Sequence, residues 1–312
     1  MDAIVDEAPP KILSEFSLTP DAKKELQQFF DTHLHALRGP YDARAVAKDE
    51  LKDVLRRVLP EQAQQTLAEI MAGTSEYSLL IHNLPERAEF IGGGPIPLEL
   101  QRPENVYCNH IGCAIYEMYG TKSAGIEMLA RSPKRSSEYK PFGSEIHRDV
   151  KRLRSDASQD QSYAAYVIFA SPHNQEEAVT EVLNLKKAIA SISEEVRQRT
   201  EAHIYTRAQN EDPGETTPRV TLDQVLRQLD EPLISQDHIR KIVLLSPPDS
   251  AEAKAFNDAV KRFGADVPLK HGDLLVLNQH KIFHRAHAGN VEAIDPGRRA
   301  SRIFFANIGL SV

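Results

Sequence analysis

The sequence predicts an α+β protein in which helices cover a β-sandwich or barrel. Three observations lead to this fold class. Roughly the first seventy residues have helical periodicity, short strand-like segments follow from Tyr77 onward, and a polar helical insertion separates two groups of those strands. Helices and strands therefore come in separate runs, whereas a doubly wound parallel sheet requires regular alternation of the two.

Three helices are predicted in an N-terminal helical layer, residues 1–75. The first runs through LTPDAKKELQQFFDTHLHALRG, where Thr19 is a suitable N-cap, Pro20 occupies the first helical position and Gly39 ends the pattern. The segments YDARAVAKDELKDVLRRVLP and PEQAQQTLAEIMAG continue the helical spacing, and each is bounded by proline or glycine. We expect this layer to support the strands that follow.

Six short apolar segments are predicted strands because they are rich in β-branched and aromatic residues and end in turn residues. They are YSLLIHNLP, GIEMLARSP, SYAAYVIFAS, RKIVLLSP, GDLLVLN and SRIFFANIGL. A helical insertion at about 174–235 separates the third from the fourth, and NQEEAVTEVLNLKKAIASISEEVRQR is its clearest helix. SAEAKAFNDAVKRFG adds one more helix. We expect residues 1–312 to form a single domain, with the core at 76–312.

Composition and charge exclude several classes of protein. A net charge of -7 and a pI near 6.0 argue against an electrostatic nucleic-acid binder, which would carry a basic surplus. No apolar run approaches a membrane span, and the acidic start MDAIVDEAPPK does not resemble a secretory signal. We therefore expect a cytoplasmic protein without a nucleic-acid or membrane partner. Cys108 and Cys113 are interpreted as buried free thiols, because only His110 lies between them as a further metal ligand.

A candidate metal-binding pair lies in GSEIHRD, residues 143–149. On a strand, residues two apart face the same side, so His147 and Asp149 could bind one ion if this segment is extended. The triplet alone is weak, because 12 histidines in an acidic chain produce one or two such pairs by chance. The second triplet, His271 to Asp273, fits less well, since HGDLLVL is typical of a turn that leads into a strand.

A third ligand is available in LLVLNQHKIFHRAHAGN, where His284 closes a strand-like run 137 residues after His147. Two imidazoles and one carboxylate form a facial triad that leaves three coordination positions open. Two alternatives remain at this point. The spacing of His280, His284 and His287 would place them on one face of a helix and favour zinc, or these histidines are polar residues at the mouth of a sandwich.

Two arginines follow at the end of the chain. Arg298 lies fourteen residues and Arg302 eighteen residues after His284, and on a strand both face the same way. Arginine suits bidentate binding of a carboxylate and stays charged at any working pH. A metal triad with an arginine on the neighbouring strand fits 2-oxoglutarate, whose keto acid chelates iron while its second carboxylate meets the arginine. Arg299 is interpreted as part of an exposed basic edge.

With these motifs in this order, the sequence resembles the clavaminate synthase-like branch of the iron(II)/2-oxoglutarate-dependent oxygenases. This branch, within the taurine dioxygenase/clavaminate synthase superfamily, includes amino-acid hydroxylases. The resemblance runs from LLIHNLP to FFANIGL and is carried by HRD, GDLLVLNQHKIFH and Arg298. It implies a double-stranded β-helix, or jelly-roll, core, with Fe(II) bound by His147, Asp149 and His284. YVIFASPHNQEEAVT is similar to a family strand and a helix whose threonine touches the co-substrate, which nominates Thr180.

The resemblance also implies an activity. Fe(II), 2-oxoglutarate held by Arg298, and O2 would hydroxylate an unactivated C–H bond of an amino acid or related small metabolite, releasing succinate and CO2. Arg302 and Glu145 are candidate substrate-binding residues, and SAGIEMLARSPKRSSEYKPFG is expected to form a lid. The alternatives are desaturation, epoxidation or cyclisation by the same iron chemistry, and a non-catalytic jelly-roll protein that binds a ligand.

One residue departs from the family pattern inside the metal motif. Arg148 stands where the family usually has a small residue, often threonine. On a strand its side chain would point away from the iron, and we expect it to be a solvated or lid-side residue.

Overall fold

The computed structural model describes most of the helices and strands of the chain. The described residues are 12–33, 48–72, 74–85, 88–90, 103–119, 123–130, 146–148, 152–153, 162–173, 179–206, 217–230, 239–270, 272–278, 281–287 and 299–307. Gly39, the predicted end of the first helix, lies outside them.

The three predicted N-terminal helices are present. They are α1 (Pro20–Thr32), α2 (Lys48–Val58) and α3 (Glu61–Met71). The Oγ1 atom of Thr19 accepts a hydrogen bond from the Ala22 N–H at 3.2 Å, so the predicted N-cap is confirmed. A strand that the sequence did not predict, β1 (Leu13–Ser17), precedes α1 and pairs in parallel with the predicted strand β2 (Ser78–His82).

The middle of the chain contains a short hairpin, a helix and four further strands. They are β3 (Ala88–Phe90), β4 (Pro103–Asn105), α4 (Val106–Tyr119), β5 (Ser123–Ala130), β6 (Ile146–His147), β7 (Arg152–Leu153) and β8 (Ser162–His173). The strands β5 and β8 were predicted. Helix α4 was not, and it carries Cys108 and Cys113. The extended backbone at β6 is the conformation that a metal pair at 147 and 149 requires.

The prediction of one long helix at 174–199 is wrong. This segment contains the strand β9 (Val179–Leu183) and two short helices, α5 (Leu185–Ala190) and α6 (Glu194–Arg199). Val179, Thr180 and Val182 are β-branched, and β9 pairs with a strand on each side. Pairing within a sheet therefore overrides the helical spacing of the sequence. The insertion continues as β10 (Glu201–Thr206), β11 (Arg219–Thr221) and α7 (Leu222–Leu229).

The last part of the chain agrees better with the sequence. Its elements are β12 (Ile239–Leu244), α8 (Ala251–Arg262), β13 (Gly264–Val267), β14 (Leu274–Asn278), β15 (Phe283–His287) and β16 (Arg299–Asn307). Helix α8 was predicted, and the Ser250 side chain caps it by accepting from the Ala253 N–H at 3.1 Å.

Most strands fall into two sheets. The first sheet has the order β1-β2-β14-β8-β16-β5, with β7 also paired to β8. The second sheet has the order β11-β10-β12-β6-β15-β9-β13. Among the described strands, every pairing except β1 with β2 is antiparallel. Helices combined with mostly antiparallel sheets confirm the predicted α+β class.

Alternation along the strands shows which face of each sheet is internal. Leu275 and Leu277 of β14 form one buried cluster with Val182 and Val267 of the second sheet, so the two sheets pack face to face. We call these the inner faces. The outer face of the first sheet is covered by α1 to α4, and the outer face of the second sheet by α5, α7 and α8. No helix within the described ranges has the length and apolar content needed to cross a membrane.

Candidate functional site

Two of the predicted ligands, His147 and His284, meet on the second sheet. His147 on β6 is the direct antiparallel partner of His284 on β15, and their ring centroids are 4.4 Å apart with the ring planes at 52°. Their chain neighbours Ile146 and Phe283 belong to the buried cluster on the outer face of the second sheet, under α5, α7 and α8. Because successive residues of a strand face opposite sides, both imidazoles lie on the inner face. His284 is buried and His147 is partly exposed.

This spacing suits a shared metal ion. With ring centroids 4.4 Å apart, His147 and His284 are near enough for one nitrogen of each ring to hold the same ion. Neutral imidazoles are ligands for iron and zinc alike. Asp149, the predicted carboxylate ligand, lies outside the described residues, and within those residues no group of three metal-binding side chains is found.

The two histidines belong to a row that crosses the second sheet. Successive direct partners along this row are Tyr205, Lys241, His147, His284 and Val182. Directly opposed residues of antiparallel strands share a face, so the Lys241 ammonium lies on the inner face beside His147. The Lys241 Nζ atom is 5.0 Å from the centroid of the Tyr205 ring. Lys241 was not predicted as a site residue. The available signal was the pair of charged residues, Arg240 and Lys241, at the start of the apolar segment RKIVLLSP.

Thr180 lies on the same face, but on a strand and not on the helix that was predicted for it. It is a buried residue of β9 and pairs with Ala286, two positions beyond His284 on β15. Diagonal neighbours of this kind are about 7–8 Å apart. Sheet register therefore brings Thr180 close to His284.

Arg148 faces the opposite way, as predicted, but the expectation of a solvated residue is wrong. It is only 4% exposed, and its guanidinium lies 4.4 Å from the centroid of the Phe283 ring on the outer face. Its Nε and Nη2 atoms both donate to the Ile239 carbonyl oxygen, at 3.0 and 2.6 Å. Burial lowers the Arg148 pKa to about 10, so the side chain is charged at neutral pH.

A second charged side chain, that of Arg285, lies on the outer face of the second sheet, as Arg148 does. The Arg285 Nε atom donates to the carboxylate of Glu181, its direct partner on β9. Both side chains are largely buried. Polar residues thus alternate along β15, with the imidazole of His284 inward and the guanidinium of Arg285 outward.

The structure describes one of the two predicted arginines, Arg302. Arg302 lies on β16 in the first sheet, where it pairs with Phe169 of β8 and Leu129 of β5. It is therefore not on a strand next to the one that carries His284, because the sheet order separates β15 from β16. Arg298 and Glu145 lie outside the described residues.

The predicted lid is wrong for its first part. Residues 123–130 form β5, an edge strand of the first sheet that pairs with β16. The rest of the predicted lid, residues 131–143, lies outside the described residues.

The helical zinc site formed by three histidines is also wrong. His284 and His287 lie on the strand β15 and not on a helix, and His280 is outside the described residues. His284 does not close the preceding strand-like run either. That strand ends at Asn278, and β15 begins at Phe283 in the other sheet.

The second His-x-Asp triplet shapes a turn, as predicted. Gly272 has a φ of 76°, and the Asp273 Oδ2 atom accepts from the Lys270 N–H at 2.8 Å. The Asp273 Oδ1 atom accepts from Nδ1 of His82 at 2.8 Å. His271 lies outside the described residues.

Comparison with solved structures shows what the fold is similar to. The chain shares its overall fold with OrfP, a protein described as a non-heme iron oxygenase. One such structure is OrfP in complex with Fe, succinate and (3R,4R)-dihydroxy-L-Arg, which matches with a TM-score of 0.50 and 18% identity over 93% of each chain. OrfP with Fe and alpha-ketoglutaric acid matches with a TM-score of 0.49 and 17% identity over 95% of each chain. No protein-family model matches the sequence, and no curated protein does.

Proposed function

We propose that this protein is a non-haem Fe(II)/2-oxoglutarate-dependent dioxygenase. In this proposal it hydroxylates an unactivated C–H bond of an amino acid or related small metabolite and releases succinate and CO2. The observation that carries the proposal is the direct opposition of His147 and His284, with ring centroids 4.4 Å apart on an inner face. The fold shared with OrfP supports it.

Of the residues in the proposed site, the structure describes His147, His284 and Thr180. His147, His284 and Asp149 would hold Fe(II), and Arg298 and Thr180 would hold 2-oxoglutarate. When bound, the iron supplies the open positions at which the keto acid chelates and O2 is activated. The buried His284 side chain is shielded from water, whereas His147 is partly exposed.

The charge beside the metal pair favours a substrate with a carboxylate. Lys241 carries a compact ammonium on the inner face next to His147, and an ammonium of this kind attracts an anion. The solved OrfP complex with dihydroxy-L-Arg is consistent with an amino-acid substrate. Arg302 and Glu145 stay in the proposal as further substrate-binding residues. Desaturation, epoxidation and cyclisation would use the same metal ligands.

The finer description of the architecture is also part of this proposal. The two packed sheets would form a double-stranded β-helix, or jelly-roll, core. Residues 1–312 would form one domain, with a helical layer at 1–75 and an insertion at about 174–235. Strand β1 belongs to the first sheet, so the layer is not purely helical. A cytoplasmic location and the absence of a nucleic-acid partner remain predictions from composition.

An anaerobic titration with Fe(II) and 2-oxoglutarate tests the function. We expect the wild-type protein to develop the visible charge-transfer band of the iron chelate and, in air, to release succinate. His284→Ala should lose the band, because one of the two described ligands is gone. His33→Gln is the matched control, since His33 ends α1 far along the sequence from both ligands and bonds the Phe29 carbonyl oxygen.

The outcomes separate an enzyme from a binding protein. A wild-type protein that shows neither the band nor succinate release with any amino acid would favour the non-catalytic ligand-binding alternative. A His284→Ala variant that keeps the full band would show that the metal lies elsewhere.

A further inference from the structure

The structure describes the strand that carries His147 over residues 146–148. Strand β6 consists of Ile146 and His147, and the Arg148 N–H extends it by donating to the Arg240 carbonyl oxygen at 2.8 Å. Within residues 146–148, His147 pairs with β15 through His284. A slip of one residue would turn the imidazole to the outer face, because side chains alternate along a strand.

One side chain contacts both strands that flank β6. Arg148 donates from Nε and Nη2 to the carbonyl oxygen of Ile239 at the start of β12. Its guanidinium also stacks on the ring of Phe283, the residue directly before His284 on β15. The Arg148 side chain therefore contacts both β12 and β15 on the outer face of β6, the strand between them.

These contacts lie on the face opposite the metal pair. Ile239 and Phe283 are members of the buried cluster under α5, α7 and α8, whereas the two imidazoles are on the inner face. A planar, forked guanidinium can donate in its plane and stack through its face at the same time. A lysine ammonium has no planar face to stack on the ring, and an apolar side chain has no donor for the carbonyl oxygen.

We propose that Arg148 is a positioning residue that holds the His147 imidazole opposite that of His284, in the arrangement that a shared divalent ion requires. This inference rests on the proposed function, because it assumes that the two imidazoles bind one ion. Arg148 does not itself touch the ion. It acts through β6 by fixing which face and which register position His147 occupies.

The test is the dissociation constant for Co(II), followed by visible absorption, in the full-length protein. We expect Arg148→Met to weaken Co(II) binding by about tenfold to a hundredfold, the range found when groups that orient metal ligands are removed. Arg148→Lys should recover part of the affinity, since its ammonium can still donate to the Ile239 carbonyl oxygen.

Arg197→Met is the matched control. Arg197 on α6 also donates to a main-chain carbonyl oxygen, from Nη1 to Ile192 at 2.6 Å, and it lies near Asp223. Its loss should lower the thermal unfolding temperature and leave the Co(II) dissociation constant unchanged. Thermal unfolding without metal, measured on all variants, separates lost stability from lost positioning.

Each outcome decides the inference. Wild-type affinity in Arg148→Met, or in Arg148→Lys where the methionine variant does not fold, would overturn it. Equal weakening in Arg197→Met would reduce the effect to general stability and also overturn it. If the wild-type protein itself binds neither Co(II) nor Fe(II), the proposed metal site is wrong. If the wild-type protein binds Co(II) and Arg148→Met binds it equally well, only the role of Arg148 is wrong.

Discussion

At the scale of single residues, the inner face of the second sheet combines two imidazoles with one ammonium. Lys241 is the direct partner of His147 on one side, and His284 is its direct partner on the other. The Tyr205 ring beside Lys241 adds an aromatic surface. Two imidazoles, a cation and an aromatic ring therefore follow one another along a single row, which suits a small molecule with a carboxylate.

Replacing Lys241 by methionine should raise the KM for a carboxylate substrate by about tenfold or more, because a hydrogen bond to a charged group contributes about 1.5–3 kcal/mol. The dissociation constant for Co(II) should stay near the wild-type value. The measurement is succinate release against amino-acid concentration. Lys186→Met is the control, since Lys186 is paired with Asp230 between α5 and α7. An unchanged KM in Lys241→Met would remove Lys241 from the substrate site.

At the scale of elements, the turn before β14 fixes the backbone conformation with which this strand begins. The turn before β14 needs Gly272, whose φ of 76° lies in the left-handed region. A Cβ atom there would be 2.8 Å from the Leu84 carbonyl oxygen, and the Leu84 N–H donates to the Gly272 carbonyl oxygen at 3.0 Å. This contact holds Leu84, which follows β2, against Gly272, which precedes β14.

Gly272→Ala should therefore lower the free energy of unfolding by about 2 kcal/mol or more, through backbone strain and the contact with Leu84. Chemical denaturation measures this change. Gly272→Asn provides the comparison, because asparagine tolerates a positive φ but carries the same Cβ atom. Equal losses in both variants would assign the effect to the contact with Leu84, and an unchanged stability in Gly272→Ala would contradict the prediction.

Strand β9 shows where reasoning about elements from sequence fails. Its residues fall within a helical pattern, and the following Asn184 does cap a helix, by accepting from the Lys187 N–H at 3.1 Å. The helix it begins is only six residues long. Pairing of β9 with β13 and β15 provides hydrogen bonds and burial that the local pattern does not reveal. Thr180 is thereby placed on an inner sheet face.

At the scale of the whole molecule, stability should depend on pH through His110. Burial lowers the pKa of this histidine on α4 from 6.5 to about 4. Below pH 6.5 the unfolded chain binds a proton that the folded protein does not accept until about pH 4. The free energy of unfolding should therefore fall as the pH drops through this window, by up to about 1.4 kcal/mol per pH unit.

His110→Gln should flatten this dependence between pH 6.5 and about 4, because glutamine does not titrate. The measurement is the difference between the wild-type and variant free energies of unfolding at each pH, which cancels the carboxylates common to both. A constant difference across the window would contradict the prediction.

The sequence by itself determined features whose signals lie within a few residues. Thr19 and Ser250 cap helices where the pattern predicted, and His147 lies on extended backbone as its spacing to Asp149 required. The motif order also indicated the iron oxygenase fold, because the types and spacing of ligands are properties of the chain. These features need no knowledge of the neighbours in space.

Only the tertiary structure decided which strands meet. His147 and His284 are 137 residues apart, yet sheet register makes them direct partners, and the same register adds Lys241 and Thr180 to their face. Arg148, expected in solvent, is buried against Phe283. Strand pairing depends on burial and hydrogen bonds between distant segments, so local sequence patterns do not contain it.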